Sequence, residues 1–282
     1  MDNLLEIINN CSDSELNSIV TSAINNAIKN SQEKDILGFL PNMERQIVHK
    51  GFINPNTKIR YGNHSMNSYN MKTTDYFYEF ARYIKDKQIK GKGAFIKYIE
   101  NFINNYFGIN KNGIDYRDDY FDSLAFKTTR TDEEYFEKLN ALEIGDLKGK
   151  NIAMCTERAA VAENLLSLFG IETYYCMGCV DNGGKTEPHC FIIAKAQNEY
   201  RLLDYSIPSP VYKNGKLIDY APFSANIPLE EFEEVTKNGV LKTFDNYYYM
   251  YTSDGIKKVT DNTYRTYAVG VFELEKNNQH NK

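Results

Sequence analysis

Tryptophan is absent from this 282-residue chain, proline and glycine are scarce, and no apolar run approaches the length of a membrane-spanning helix. Seven prolines and 17 glycines are too few for a fibrous or low-complexity architecture, while 42% hydrophobic residues suffice for a buried core. The first fifteen residues carry acids and asparagines where a signal peptide needs a basic start and an apolar run. We therefore expect a cytoplasmic globular protein with no membrane partner, although an effector exported without a leader would share these features.

Positive charge and cysteine are also in short supply. A net charge of -5 and a pI near 5.5 give no general attraction to nucleic acid, so we expect no nucleic-acid partner. Five cysteines form an odd set without the spacing of a disulfide framework, which is typical of reduced thiols in a reducing compartment. Composition leaves the oligomeric state open.

Helical periodicity dominates the first 110 residues. Apolar residues recur at helical spacing after a capping box formed by Ser12 and Glu15, and again across 75 to 107, where two glycines interrupt the pattern. The second pattern indicates a helical hairpin. We therefore divide the chain into a helical N-terminal region, residues 1 to 110, and an α+β core, residues 111 to 282.

The periodicity changes at Gly170. Residues 156 to 169 predict an apolar helix that ends at this glycine. Runs rich in Ile, Val, Tyr and Phe follow it, and turn residues bound each run. They predict antiparallel strands over 171 to 180, 189 to 196, 199 to 205, 245 to 252 and 264 to 274. The fold class predicted from these patterns is α+β.

Cys155 directly precedes the helix predicted to start at Thr156. A thiol at a helix N-terminus faces backbone N–H groups without helical partners and the positive end of the helix dipole. Both features stabilise the thiolate and lower the pKa of the thiol. The same N–H groups can stabilise the oxyanion that forms when a thiolate attacks a carbonyl carbon. The position of Cys155 therefore favours a nucleophilic role.

His189 and Asp204 lie on consecutive predicted strands joined by a short turn. A turn at residues 197 and 198 places His189 diagonal to Asp204, and a turn at 196 and 197 sets the two directly opposite. In either register they share one face of the sheet, within about 5 to 8 Å at Cβ. Asp204 would then orient the imidazole, which leaves its other nitrogen to act as a base for Cys155.

These residues give the chain a resemblance to a known superfamily. The segments CTERAAVAENLLSLFGIETYYCMGCV, PHCFIIAKA and YRLLDY, within residues 148 to 210, resemble the core of the transglutaminase-like superfamily. The resemblance implies a papain-like α+β core in which Cys155 is the nucleophile, His189 the base and acid, and Asp204 the orienting group. It also implies acyl transfer on a peptide or glutamine amide, without a cofactor, with a protein or peptide as substrate.

The lack of tryptophan departs from this family pattern, because many relatives carry Trp near the catalytic residues. Phe191 is a candidate replacement for one of them and a candidate substrate contact. Asn151, which lies shortly before Cys155, is a weak candidate for the second oxyanion donor. The missing tryptophans keep a second interpretation open, in which the chain retains the fold as an inactive peptide- or protein-binding module.

A zinc site is the third interpretation. Cys176, Cys179, His189 and Cys190 include a C-x-x-C element of the kind that binds zinc. On regular strands, however, residues an odd number apart point to opposite faces, which separates Cys176 from Cys179 and His189 from Cys190. We therefore expect no metal site and interpret these three cysteines as small packed hydrophobes.

Overall fold

The computed structural model describes residues 2–31, 36–37, 49–61, 67–71, 75–108, 131, 134, 137–138, 141–182, 186–196, 199–232 and 242–268. Its architecture is α+β, with helices packed on a large, mainly antiparallel sheet, as the sequence pattern predicts. Within those residues, no helix combines the length and apolar character that crossing a bilayer requires.

The described helices include α1 (Asp2–Asn10), α2 (Asp13–Asn30), α3 (Asp75–Lys87), α4 (Lys92–Phe107) and α5 (Cys155–Leu168). The capping box predicted at the start of α2 is present, because Glu15 Oε2 accepts the Ser12 N–H at 2.9 Å. Helices α3 and α4 form the predicted hairpin. Gly170, with φ of 74°, ends α5 where the sequence predicts it to end.

The strands are β1 (Ile36–Leu37), β2 (His49–Lys50), β3 (Lys58–Tyr61), β4 (Asn67–Asn70), β5 (Thr173–Asn182), β6 (Thr186–Ala196), β7 (Glu199–Lys213), β8 (Lys216–Pro228), β9 (Lys242–Thr252) and β10 (Gly255–Ala268). Strands β1, β3 and β4 form a small separate sheet. The described part of residues 1 to 110 thus contains short strands as well as helices, and β2 joins the large sheet beside β5.

The large sheet closes on itself. Strand β10 pairs with β9 along most of its length and with β5 at its end, where Tyr267 pairs with Val180. Strand β9 in turn pairs in parallel with the end of β7. Strands β5, β6, β7, β9 and β10 therefore form a closed ring, and the C-terminal part of the described chain is brought back against its middle.

Strand β8 lies where the sequence analysis predicts no strand. Its residues include Pro222 and Pro228, and proline within a run argues against a central strand. Among the described strands β8 pairs only with β7, so it is an edge strand, in which proline is tolerated. The long strand β7 pairs with β8 on both sides of a register shift between Asp204 and Pro208.

Two hydrophobic clusters lie on opposite faces of the ring. The first combines the N-terminal helices, α5 and the outward-facing residues of β5 to β7, such as Tyr175 and Ile192. The second lies on the face away from α5 and includes Phe191, Phe223 and Tyr267. Helix α5 is central to the first cluster, since every residue from Thr156 to Leu166 is buried.

Buried polar side chains of α5 attach it to the N-terminal region. Asn164 Oδ1 accepts the backbone N–H of Ile53 at 2.7 Å, and Asn164 Nδ2 donates to the Tyr76 hydroxyl at 2.9 Å. Ile53 and Tyr76 are both fully buried, so water does not replace these hydrogen bonds. The side chain of Asn164 therefore satisfies backbone and hydroxyl groups contributed by two other segments.

We predict that Asn164→Leu lowers the free energy of unfolding by about 3 kcal/mol, because it leaves the buried Ile53 N–H and Tyr76 hydroxyl without this partner. Urea unfolding measures the change. Asn25→Leu, the same substitution at an exposed position of α2, is the matched control and should change stability by less than about 0.5 kcal/mol. Equal effects of the two substitutions would contradict this role for Asn164.

Candidate active site

Cys155 is the first residue of α5, one position earlier than the helix start predicted from the sequence. Met154 precedes it in extended conformation, and Glu157 Oε2 accepts the Met154 N–H at 2.8 Å. The first described helical hydrogen bond runs from Arg158 N–H to the Met154 carbonyl, so the N–H groups of Cys155 and Thr156 lie outside the helical ladder. The thiol is therefore held at the positive end of the helix dipole.

Arg158 anchors the start of α5 to the end of α4. Its guanidinium donates to the Ala153 carbonyl at 3.2 Å, to Asn104 Oδ1 at 2.8 Å and to the Gly108 carbonyl. Arg158 is buried, which shields these charge-assisted hydrogen bonds from water. Arg158 thus connects the loop before Cys155 and the first turn of α5 to the C-terminal end of α4.

Asn151 takes part in the same attachment. Its backbone N–H donates to the Phe107 carbonyl at 3.0 Å, and its side-chain oxygen lies against Gly108 so closely that a Cβ there would be 1.8 Å away. Gly108 also has φ of 78°, so this position requires glycine on two counts. Asn151 therefore fixes the loop before Cys155, while its assignment as an oxyanion donor stays a prediction.

His189 and Asp204 meet inside the ring of strands. Strand β6 pairs with β7 in the register that sets Ala196 against Glu199, which is the first of the two registers considered from the sequence. In this register the two side chains are diagonal neighbours on one face. His189 Nε2 lies 2.7 Å from Asp204 Oδ2, and both residues are buried.

Asp204 is fully buried, yet it carries several hydrogen bonds. The Ser206 N–H donates to Oδ1 at 2.9 Å, and the Tyr267 hydroxyl donates to Oδ2 at 2.7 Å, beside His189. Burial alone would raise the pKa of Asp204, but the charge and hydrogen bond of His189, together with these two donors, hold it below its ordinary value. Asp204 is therefore an ionised carboxylate in an apolar enclosure.

Tyr267 is the site residue that the sequence analysis does not identify. It lies on β10, far from Asp204 in sequence, and reaches the site because β10 closes the ring against β5. Its ring packs edge-on to Phe191, with centroids 5.2 Å apart, which holds the hydroxyl toward Asp204. A tyrosine in a strand pattern has no local signature of such a role.

Phe191 lies inside the ring and is 1% exposed. It belongs to the second cluster and supports Tyr267 from behind. The structure therefore places this candidate substrate contact in the packing beneath His189 and Asp204, away from the surface.

Cys155 reaches His189 through a gap in the sheet. The pairing between β6 and β7 ends at Ile192 and Leu203. His189 and Cys190 lie on the part of β6 beyond this last pair. There the His189 side chain and Cys190 lie close enough to the Cys155 thiol to lower its pKa. Because Asp204 occupies Nε2 of His189, Nδ1 is the ring nitrogen left for the thiol.

The charges of Cys155 and His189 support each other. Hydrogen bonding from Cys190 outweighs burial and, with the hydrogen bond and charge of His189, holds the pKa of Cys155 well below its ordinary value. Burial would lower the pKa of His189, but the charge and hydrogen bond of Asp204 and the contact with Cys155 raise it to about 10. Both shifts favour the thiolate–imidazolium form of the pair. The Cys155 residue is partly exposed.

The set proposed for zinc is not brought together. Cys176 belongs to the second cluster and Cys190 to the first, on opposite faces of the sheet. In the part of the chain that the structure describes, no group of three or more His, Cys, Asp or Glu side chains is arranged to hold a metal ion. Cys176 is surrounded by apolar side chains, and burial raises the pKa of its thiol well above the ordinary value.

Two surface pockets lie elsewhere on the molecule. One, of about 340 Å³, is formed by α1 and the residues after α3, and the other, of about 520 Å³, lies between α4 and β8. Neither is lined by Cys155, His189 or Asp204. The charge arrangement at Cys155, which neither pocket offers, makes it the stronger candidate for chemistry.

Comparison with protein-family models, with curated proteins and with solved structures gives no significant match for this chain. The site is therefore interpreted from its own geometry.

We predict that Tyr267→Phe lowers the free energy of unfolding by about 2 kcal/mol at neutral pH, because it removes one hydrogen-bond donor from the buried Asp204 carboxylate. Urea unfolding measures the difference. Tyr264→Phe removes the same hydroxyl from the same strand at a position that is 60% exposed, and should be nearly neutral. The proposed role of the hydroxyl fails if the two variants have equal stability.

Proposed function

We propose that the chain is a cysteine-nucleophile acyl-transfer enzyme with a papain- or transglutaminase-like core. It would act on a peptide or glutamine amide through a thioester on Cys155, as a protease or amidase, a deamidase or a transglutaminase. The observation that carries the proposal is the position of Cys155, a partly exposed residue with a lowered thiol pKa, beside an imidazole that is hydrogen-bonded to a buried carboxylate.

In the first half-reaction, the Cys155 sulfur attacks the carbonyl carbon of the amide and the carbonyl electrons move onto the oxygen. Backbone N–H groups at the start of α5, those of Cys155 and Thr156, are suited to stabilise that oxyanion. The imidazolium of His189 donates its proton to the leaving amine as the C–N bond breaks. The products are a thioester on Cys155, a free amine and a neutral His189.

In the second half-reaction, neutral His189 removes a proton from water or from an acceptor amine, which then attacks the thioester carbonyl. The C–S bond breaks, and Cys155 and His189 return to the thiolate and imidazolium. Water gives hydrolysis or deamidation, and an amine gives a crosslink or an aminolysis product. Asp204 keeps Nδ1 of His189 directed at Cys155 throughout and stabilises the imidazolium.

The charge arrangement favours an enzyme over the inactive binding module. Burying a carboxylate such as Asp204 is unfavourable unless it is paired, and replacing a buried ion pair with packed apolar residues is often neutral or stabilising. A module that only held a peptide would therefore gain nothing from an ionised Asp204 aligned with His189 and Cys155. An acyl-transfer site depends on that alignment.

An activated ester tests the proposal without knowledge of the natural substrate. We predict that p-nitrophenyl acetate releases a burst of nitrophenol and leaves an acetyl group on Cys155, which mass spectrometry of acid-quenched protein would locate. Cys155→Ala should abolish the burst, and His189→Asn should slow it by about a hundredfold or more, since the thiolate loses its partner. Cys11→Ala, which removes the other partly exposed thiol, is the matched control and should retain the burst.

Acetylation spread over the five thiols, or a Cys155 no more reactive than Cys11, would contradict the proposal and favour the binding module. Where the burst is observed, incubation with glutamine-containing peptides and a primary amine distinguishes the three outcomes. Shortened peptides indicate a protease, conversion of glutamine to glutamate a deamidase, and amine incorporation a transglutaminase.

A further inference from the structure

A second thiol lies beside the nucleophile. Cys190 follows His189 on β6 and lies close enough to Cys155 for each thiol to shift the pKa of the other. The Thr156 hydroxyl lies near both thiols, because its oxygen is 3.4 Å from Cys190 Sγ and 4.0 Å from Cys155 Sγ. Two thiols from different elements, the start of α5 and strand β6, therefore meet at one hydroxyl. The acyl-transfer steps above use only one of them.

The two thiols differ in accessibility. Cys155 is partly exposed, whereas Cys190 is 1% exposed and belongs to the first hydrophobic cluster. An oxidant that enters from solvent therefore meets Cys155 first. Cys190 is its neighbour, since both thiols approach the Thr156 hydroxyl.

The two thiols also differ in pKa. Burial, together with the hydrogen bond and charge of Cys155, raises the pKa of Cys190 well above its ordinary value, while the pKa of Cys155 is lowered. These shifts favour a thiolate at Cys155 and a protonated thiol at Cys190. Hydroperoxides react with thiolates, so the chemistry starts at Cys155 alone.

We propose that Cys155 and Cys190 are a redox modification site, at which a hydroperoxide converts the nucleophile into a reversible intramolecular disulfide. The Cys155 thiolate attacks one peroxide oxygen, the O–O bond breaks, and hydrogen peroxide yields a sulfenic acid and, after proton uptake, one water. Cys190 sulfur then attacks the sulfenic sulfur, the S–O bond breaks, and the hydroxide takes up the proton of Cys190 and leaves as the second water.

The two thiols are together oxidised by two electrons, and the peroxide is reduced to two waters. His189 is placed to supply the proton that is taken up when the first water forms, since its side chain lies beside Cys155. Both sulfurs lie within 4.0 Å of the Thr156 hydroxyl oxygen, so the two thiols are near enough for side-chain rotation to bring them together. Thiol–disulfide exchange with a small dithiol reverses the reaction and restores the thiolate.

The disulfide protects Cys155 from permanent loss. A sulfenic acid without a neighbouring thiol is oxidised further to a sulfinic acid, which dithiols do not reduce. Cys190 would intercept the sulfenic acid before that step. Cys176 and Cys179 are also buried thiols on the neighbouring strand β5, but Cys176 belongs to the cluster on the opposite face and provides a matched comparison.

The test treats wild type, Cys190→Ser and Cys176→Ser with hydrogen peroxide, blocks free thiols and maps the peptides without reduction. Serine at 190 keeps a hydrogen-bond donor beside Cys155 but cannot crosslink. We expect wild type and Cys176→Ser to give a peptide pair joined through Cys155 and Cys190, and dithiothreitol to restore most Cys155 alkylation. Cys190→Ser should give sulfinic acid at Cys155, with at least about a fivefold lower recovery of alkylation.

A wild-type map with sulfinic acid at Cys155 and no joined pair would overturn the proposal, as would equal recovery in wild type and Cys190→Ser. The wild-type map alone decides the matter if Cys190→Ser fails to fold. Because mass and alkylation are measured without turnover, a joined pair in a protein that forms no acetyl-enzyme would sustain this inference and contradict the acyl-transfer proposal alone.

Discussion

The site depends on one interaction, the hydrogen bond between His189 Nε2 and the buried Asp204 carboxylate. A carboxylate with no exposed surface would ordinarily take up a proton, and it stays ionised because His189, Ser206 and Tyr267 all donate to it. Its charge then raises the pKa of His189, and the imidazolium in turn favours the thiolate of Cys155. Loss of the charge on Asp204 would therefore lower the pKa of His189 and weaken the stabilisation of the Cys155 thiolate.

The architecture supplies this interaction from distant parts of the sequence. The adjacent strands β6 and β7 bring His189 to Asp204, the closing strand β10 adds Tyr267, and α5 brings Cys155 to the gap where β6 extends past its ladder with β7. Arg158 and Asn164 hold α5 against α4 and the N-terminal region. The helical N-terminal region thus contributes to positioning Cys155, and it shares a hydrophobic cluster with α5 and the sheet.

Local patterns explain what the sequence alone predicts well. Apolar spacing predicts the start of α5 to within one residue of Cys155, and the shared face of His189 and Asp204 follows from the two-residue period of strands joined by a short turn. Both relations involve neighbours in sequence. The strand β8 escaped prediction because its prolines argue against a strand, and only its position at the edge makes them acceptable.

The remaining features are tertiary. The closure of β10 on β5 brings Tyr267 to Asp204, and the packing of α5 on β6 brings Cys155 to Cys190. Both depend on register and packing between residues far apart in sequence, which no local sequence pattern indicates. For Phe191 a local pattern is misleading. Its position shortly after His189 makes it a candidate substrate contact, but the residue is buried behind Tyr267.

The most direct test of this account is a pH titration of the Cys155 thiolate, followed by its ultraviolet absorbance as the difference between wild type and Cys155→Ala. A thiol with a lowered pKa is ionised above that pKa and loses its charge only as the pH falls through it. We predict that the absorbance persists through neutral pH into the acidic range, and that Asp204→Asn moves its midpoint upward. A wild-type midpoint at the ordinary thiol value, about 8.5, would contradict the proposed thiolate–imidazolium pair.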